Sequence, residues 1–290
     1  MNGERQREAK YPAYEIGRVV EGQLEQRVIT LLSDFGLRDP YVAEMKATIL
    51  GVCPQVQIVD VSHNVEQFDI RMGAFLLASA APYFPDGTVH VAVVDPGVGT
   101  KRKPIVVETS RSLFVGPDNG VLMLAALREG VQHVYAIENP RFMRLRISTT
   151  FHGRDVFAPA AAHLACGCAA SDFGRAVDDY VIPEFSKPRM QKSVLMGTVL
   201  HIDAFGNIVT NISSDSLEKM AGRTMETLKA DLGGQTAVLK VCTAYGDVAR
   251  GNALVLVGSH DFLEISVNQG DAAKQFAVKR GDPIRIWQPR

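Results

Sequence analysis

Several short stretches carry side chains able to handle a polar substrate. In "VVDPGVGTKRKP" (93–104), Asp95 ends an apolar, β-patterned run, and Pro96, Gly97 and Gly99 follow it in a tight loop. Such glycines let the backbone approach a ligand closely. Arg102 follows where the loop can fold its guanidinium back toward Asp95. The stretch lacks the Gly-Lys-Ser/Thr ending of a Walker A loop, and by itself it also fits a glycine turn with a solvated Lys-Arg-Lys run. In "TFHGRDVFAP" (150–159), His152 precedes Gly153 at a helix start. An imidazole titrates near neutrality, so His152 is the best general acid–base candidate, set against the commoner structural histidine. Arg154 and Asp155 pair with each other or cap the helix.

"SDFG" (33–36) is no kinase signature, because neither a glycine-rich loop nor a catalytic-loop motif accompanies it. It places Asp34 at a strand end, where a carboxylate can accept two hydrogen bonds from a cis-diol. A turn aspartate fits it equally well. "HIDAFGNIVTN" (201–211) sets Asp203 and Asn207 around Phe205-Gly206. Carboxylate, amide and aromatic face suit a purine or an ammonium group, or a bulged hairpin. "VGSHDFLEISVN" (257–268) adds Ser259 and His260 as turn residues that can meet a carboxylate, and "FVGPDNGVL" (114–122) reads as a structural turn.

These residues need a frame. "RVITLLSDFG", "QIVDVS" and "TVHVAVVD" read as buried strands, separated by the helices "DPYVAEMKATILGVCP" and "DIRMGAFLLASAAPYF". Asp39 is placed to cap the first helix and Pro40 suits its first turn. Strand–helix alternation predicts a mostly parallel sheet covered by helices, with ligands at the carboxyl ends of the strands. Asp34 and Asp95 stand at two such ends. "PIVVETS", "RSLFVGPDNG" and "VQHVYAIE" add strands, "VLMLAALREG" a helix with a glycine stop, and 153–167 a further helix. After about residue 180 the pattern becomes short β runs separated by turn residues, which predicts a small antiparallel barrel or sandwich. The expected organisation is an extension over 1–26, an α/β domain over 27–183, a linker over 184–193 and a smaller C-terminal β domain over 194–290.

The totals bound the function. The chain has 290 residues, 46% hydrophobic and 22% charged, as in soluble globular proteins. A net charge of −1 advertises neither a nucleic-acid partner nor a membrane surface. The four cysteines are too few for a disulfide scaffold and read as reduced thiols. Cys166 and Cys168 beside His163 sketch a metal corner, but small residues in an alanine-rich helix explain them better. No run approaches the roughly 18 apolar residues of a membrane span, and the polar N-terminus lacks a signal-peptide core. A cytoplasmic location is therefore expected.

Six motifs occur in order: "SDFGLRDPYV", "DPGVGTKR", "PDNG", "TFHGRD", "DAFGN" and "GSHDFLEI". Together they resemble the S-adenosyl-L-methionine hydroxide adenosyltransferase family, relatives of the fluorinase and chlorinase enzymes, from about residue 28 to 287. The resemblance implies an N-terminal α/β domain and a C-terminal β domain. It further implies a homotrimer whose active sites lie between one subunit's N-terminal domain and a neighbour's C-terminal domain. The implied reaction splits S-adenosyl-L-methionine into adenosine and L-methionine by attack of water or hydroxide on ribose C5′. No metal or cofactor is implied, S-adenosyl-L-methionine being the substrate.

Carried over by motif, the family's catalytic triad falls on Asp95, Arg102 and His152, and its ribose-binding acid on Asp34. Asp39 and Asp203 would meet the methionine amino group, Asn207 the adenine, and Ser259 and His260 the methionine carboxylate. The halogenating relatives carry Tyr at the position of Asp95, an aromatic residue at that of His152 and, in the fluorinase, Ser at that of Gly153. A carboxylate at Asp95 repels a halide, which favours the hydrolytic branch. Two other classes remain expectations to test: a metal-dependent nucleotide hydrolase using Asp34, Asp95 and Asp118, and a non-catalytic S-adenosylmethionine-binding protein.

Overall fold

Strand β1 (Val28–Ser33) is buried along its whole length, because it has a strand on either side and a helix packed against it. The computed structural model describes residues 27–222 and 225–289; the expected extension over 1–26 lies outside them. Two compact units divide these residues. One comprises the described residues up to Phe68, Tyr83–Leu122 and Glu129–Tyr180; the other comprises Asp69–Pro82, Met123–Arg128 and the residues from Val181 on.

The first unit is built on a six-stranded sheet, with β2 (Gln57–Ser62), β3 (Val89–Val93), β4 (Pro104–Thr109), β5 (Leu113–Pro117) and β6 (Val131–Ala136) in the order β2-β1-β3-β5-β4-β6. The β2, β1, β3 and β5 pairings are parallel, and β4 runs antiparallel to β5 and β6. This is the mostly parallel sheet expected. Helix α1 (Tyr41–Val52) has Pro40 at its cap position and no side-chain cap. Asp39 thus does not cap it, and its side chain is left for the cavity described below.

Helix α2 (Ile70–Ala80) is capped by Asp69, which accepts from the Met72 amide, and α3 (Met123–Glu129) stops at Gly130, where φ is +83°. All eight residues of α4 (Ala158–Ala165) are buried. Its alanines let it lie close against α1, β1 and β3, filling a core with Ile29, Leu31, Met45, Ile49, Val91 and Phe157. A π-helical turn, Gly153–Phe157, leads into it.

The second unit is a closed seven-stranded barrel. It comprises β8 (Val194–Ile202), β9 (Ile208–Ser213), β10 (Thr227–Leu232), β11 (Gln235–Val241), β12 (Ala253–Val257), β13 (Phe262–Val267) and β14 (Pro283–Trp287), and β14 pairs with β8 to close it. The short β7 (Arg189–Gln191) adds to β8 as an edge, so the segment read as a linker holds ordered structure. Alternate residues such as Leu228, Ala230 and Leu232 on β10 point into the core. One pairing departs from the antiparallel expectation. β11 and β12 run parallel over two residue pairs, because the chain crosses through the Tyr245–Asp247 turn instead of a hairpin. Helix α5 (Ser214–Ala221) is capped by Ser213, and α6 (Ala272–Phe276) by Asp271. Helix α2 packs on β8, where Phe75 stacks on His201 with ring centroids 4.8 Å apart. No helix among the described residues is long and apolar enough to cross a membrane.

Candidate active site

In the first unit, parallel strand ends gather the polar groups. Asp95 follows the end of β3, and the loop after it returns Arg102 onto it. The Arg102 Nε donates to both carboxylate oxygens at 3.0 Å, and Nη2 donates to Oδ2 as well. This is a bidentate charge-assisted pair. It is nearly dry, with the Arg102 side chain 9% and the Asp95 side chain 5% exposed. Gly99 makes the loop possible. Its φ is +74°, and a side chain there would run into the Thr149 carbonyl. The Asp95 loop is thereby held against the segment that carries His152.

The third member completes a chain of contacts. Arg102 Nη2 lies 2.8 Å from His152 Nδ1. A guanidinium has no acceptor, so Nδ1 accepts and the neutral ring carries its proton on Nε2. Burial lowers the His152 pKa below its usual 6.5, and the charge of Arg102 lowers it further; Asp95 and Asp155 act in the opposite direction. The guanidinium carbon sits 5.2 Å from the centre of the Phe157 ring, and Arg102 Nη1 is buried with no hydrogen-bond partner. That leaves one charged donor to spare beside the pair.

Asp95 and His152 form part of the wall of a cavity of about 380 Å³, with Asp34, Asp39 and Gly153 also lining it. Phe35, Tyr41 and Phe151 supply an aromatic side, with edge-on rings 5.1 to 5.7 Å apart. The lining holds three carboxylates and, among the described residues, no lysine or arginine. Its charge suits a cation. Asp34 accepts from the Phe68 amide at 2.9 Å. Burial raises its pKa, and the nearby Asp95 adds to the rise against the lowering by backbone hydrogen bonds. A bound cation would relieve both effects. Gly153 has another reason to be small: a Cβ there would press on Met45, Phe151 and Phe35 at 3.2 to 3.3 Å.

Arg154 and Asp155 serve the fold. Fully buried Asp155 pairs with Arg154 at 2.7 Å and Arg144 at 3.1 Å, and accepts the Ser148 amide, while Arg154 reaches Glu44 at 2.7 Å. The network braces the π-turn after His152.

In the second unit, Asp203 and Asn207 line another cavity, of about 620 Å³, with Phe205 and Tyr245. Asp203 accepts the Phe205 and Asn207 amides on Oδ1 and the Asn207 side-chain amide on Oδ2, each at 2.9 Å. Its carboxylate therefore shapes the turn before it can meet any ligand. Tyr245 donates to Glu264 at 2.7 Å, and burial, followed by that carboxylate, pushes the phenol up to about 12. Ser259 and His260 sit exposed on the turn between β12 and β13 and line neither cavity. The His260 carbonyl accepts from Arg128 at 3.1 Å.

Asp34, Asp39, Asp95, Arg102 and His152 are thus brought together, Asp203 and Asn207 form a separate pair, and Ser259 and His260 join neither. Sequence reasoning passed over Tyr41, Gln67, Phe68 and Tyr245, which also line these cavities. The loop after β2 had one usable signal, its place at the carboxyl end of a parallel strand. Among the described residues no group of three or more His, Cys, Asp or Glu is placed to hold a metal ion. Cys166, at the end of α4, is exposed.

Comparison with known proteins adds four findings. The profile for the SAM hydroxide adenosyltransferase N-terminal domain matches residues 29–174, and that for the C-terminal domain matches 197–285. The chain is 37% identical over 261 residues to a protein named (R)-S-adenosyl-L-methionine hydrolase from Salinispora arenicola, covering 89% of this chain and 97% of that one. It is 28% identical over 288 residues to a fluorinase from an Actinoplanes species, covering 89% and 97%. The crystal structure of an uncharacterized conserved protein from Thermotoga maritima superposes with a TM-score of 0.80 at 40% identity, over 90% of this chain and all of that one.

Proposed function

The chain belongs to the SAM hydroxide adenosyltransferase family, and from that premise we propose that it hydrolyses S-adenosyl-L-methionine to adenosine and L-methionine. One observation carries the reading: a hydrogen-bonded Asp95–Arg102–His152 group whose Asp95 and His152 line a cavity charged only by carboxylates, with Arg102 behind them. The substrate is a sulfonium with an ammonium group, and it fits a site of that charge. A halide does not, which sets the halogenating alternative aside.

The chemistry asks for little beyond a nucleophile. The leaving group departs as a neutral thioether and needs no acid. Water is a poor nucleophile at neutral pH, so the site must favour hydroxide and hold it in line with the C5′–S bond. Arg102 supplies a permanent positive charge directly behind Asp95 and His152, the two members of the group that face the cavity. Neutral His152 offers a donor at Nε2. Asp95 takes the proton that the entering water gives up as its oxygen bonds to C5′ and the C5′–S bond breaks, later releases it to solvent, and keeps Arg102 aimed. Asp34 holds the ribose diol. The reaction runs without metal, since its charge stabilisation comes from side chains.

The remaining residues belong to a wider reading. Asp39 takes the methionine ammonium group together with Asp203, Asn207 faces adenine, and Ser259 with His260 takes the carboxylate. The last four come from a neighbouring subunit's β domain in a homotrimer. The enzyme works in the cytoplasm, in keeping with its free thiols.

Incubation of the purified protein with S-adenosyl-L-methionine in chelator, with and without chloride, followed by chromatography, tests the function. Equal amounts of adenosine and methionine, unaffected by either addition, are expected. A 5′-chlorinated adenosine would move the protein to the halogenating branch, and intact substrate would overturn the reading.

A further inference from the structure

The Asp34 turn is tied to a second residue that the reaction itself does not call on. His63 follows β2, and its Nδ1 lies 2.8 Å from Ser33 Oγ. Ser33 Oγ also accepts the Phe35 amide at 3.3 Å, and the Gly36 amide donates to the His63 carbonyl at 2.8 Å. The residues on both sides of Asp34 are therefore fastened, directly or through Ser33, to one histidine.

That histidine is itself held. His63 Nε2 lies 3.1 Å from Asp60 Oδ1, off the axis for a hydrogen bond but within reach of the charge, and Lys46 pairs with Asp60 at 2.6 Å. Burial opposes the Asp60 charge, yet the Lys46 hydrogen bond and the neighbouring His63 ring hold its carboxyl below the usual range. The β1–β2 register slips beside this point, with Leu31 opposite Asp60 and Leu32 opposite Ser62. Such irregularities redirect side chains next to sites. If Ser33 Oγ accepts from Phe35 and donates to Nδ1, the ring proton sits on Nε2, facing Asp60.

The arrangement has the members of a serine–histidine–aspartate triad. It cannot act as one, because Ser33 is fully buried and His63 is 4% exposed; no substrate atom reaches the hydroxyl. We propose that His63 is a positioning residue: braced by Asp60, it locks the Ser33–Gly36 turn and so sets the Asp34 carboxylate for the ribose diol. This rests on the reading of Asp34 as the ribose-binding group.

The variants to compare are H63L, which removes both ring nitrogens, H63N, whose side-chain amide can replace Nδ1 toward Ser33, and S33A, a minimal deletion that keeps the packing of the ring. Steady-state kinetics with S-adenosyl-L-methionine should show KM raised about tenfold in H63L and S33A with kcat within about twofold, as loss of a binding contact requires. H63N should recover most of that loss. Crystal structures of the same proteins without ligand should show the Ser33–Gly36 turn displaced in H63L and in place in H63N. An undisturbed turn in both H63L and S33A, or a fall in kcat at unchanged KM, would overturn the clamp. Wild-type protein that does not turn over the substrate would instead remove the proposed function, and the crystallographic comparison would still decide the clamp.

Discussion

Replacing Arg102 by glutamine should damage stability and turnover together, and a second substitution should separate the two. The Asp95–Arg102 pair is almost dry, at 5% and 9% side-chain exposure. Removing the guanidinium leaves a carboxylate in that setting without its counter-charge, and breaking a buried pair from one side costs about 3–5 kcal/mol. Turnover should fall by about 10²–10³-fold, the scale for losing one preorganised charge-stabilising donor. Adding Asp95→Asn removes the stranded charge and lets two amides face each other, so the double variant should regain most of the stability. Its turnover should stay low, because nothing then favours hydroxide. Urea unfolding and chromatographic turnover of wild type, R102Q, D95N and the double variant provide the cycle. If turnover returned along with stability in the double variant, the pair would serve the fold alone and the mechanism would fail.

Protonation of His152 adds a charge beside Arg102 and ends its acceptance from Nη2, and its pKa is lowered by burial and that charge. Turnover should therefore hold below pH 6.5 before it drops, and a pH–rate profile with an acid limb above 6.5 would contradict this. His90 is fully buried between Thr30 and Phe114, and burial lowers its pKa to about 4. The unfolded chain takes up this proton first, so stability is whole above about pH 6.5 and declines as pH falls toward 4. The gap corresponds to about 3 kcal/mol, and unfolding titrations of H90L should lack that decline relative to wild type. Gly99→Ala strains a positive φ and meets the Thr149 carbonyl, so it should lower both Tm and turnover; an unchanged Tm would show that the loop rearranges freely. If the site is shared between subunits, mixing inactive D95N and D203N proteins after partial dissociation should restore activity, and no recovery would count against a shared site.

Much of this was legible in order along the chain. Alternating apolar residues in "TLKADL" and continuous ones in "VITLL" specify strands buried on one face or on two, because side-chain direction repeats with the backbone. The acids at the ends of β1 and β3 followed from parallel topology, and the six ordered motifs pointed to the family. What tertiary structure alone decided lies in contacts between distant residues. Arg102 and His152 are 50 positions apart, and no local pattern says that a guanidinium will occupy Nδ1 and leave the proton on Nε2. The inward turn of the Asp203 carboxylate, the parallel β11–β12 pair and the release of Asp39 from a capping role were equally hidden. So was the hold of His63 on the Asp34 turn. Periodicity records which face of an element is apolar; which polar groups then meet depends on how the burial of those faces closes the chain on itself.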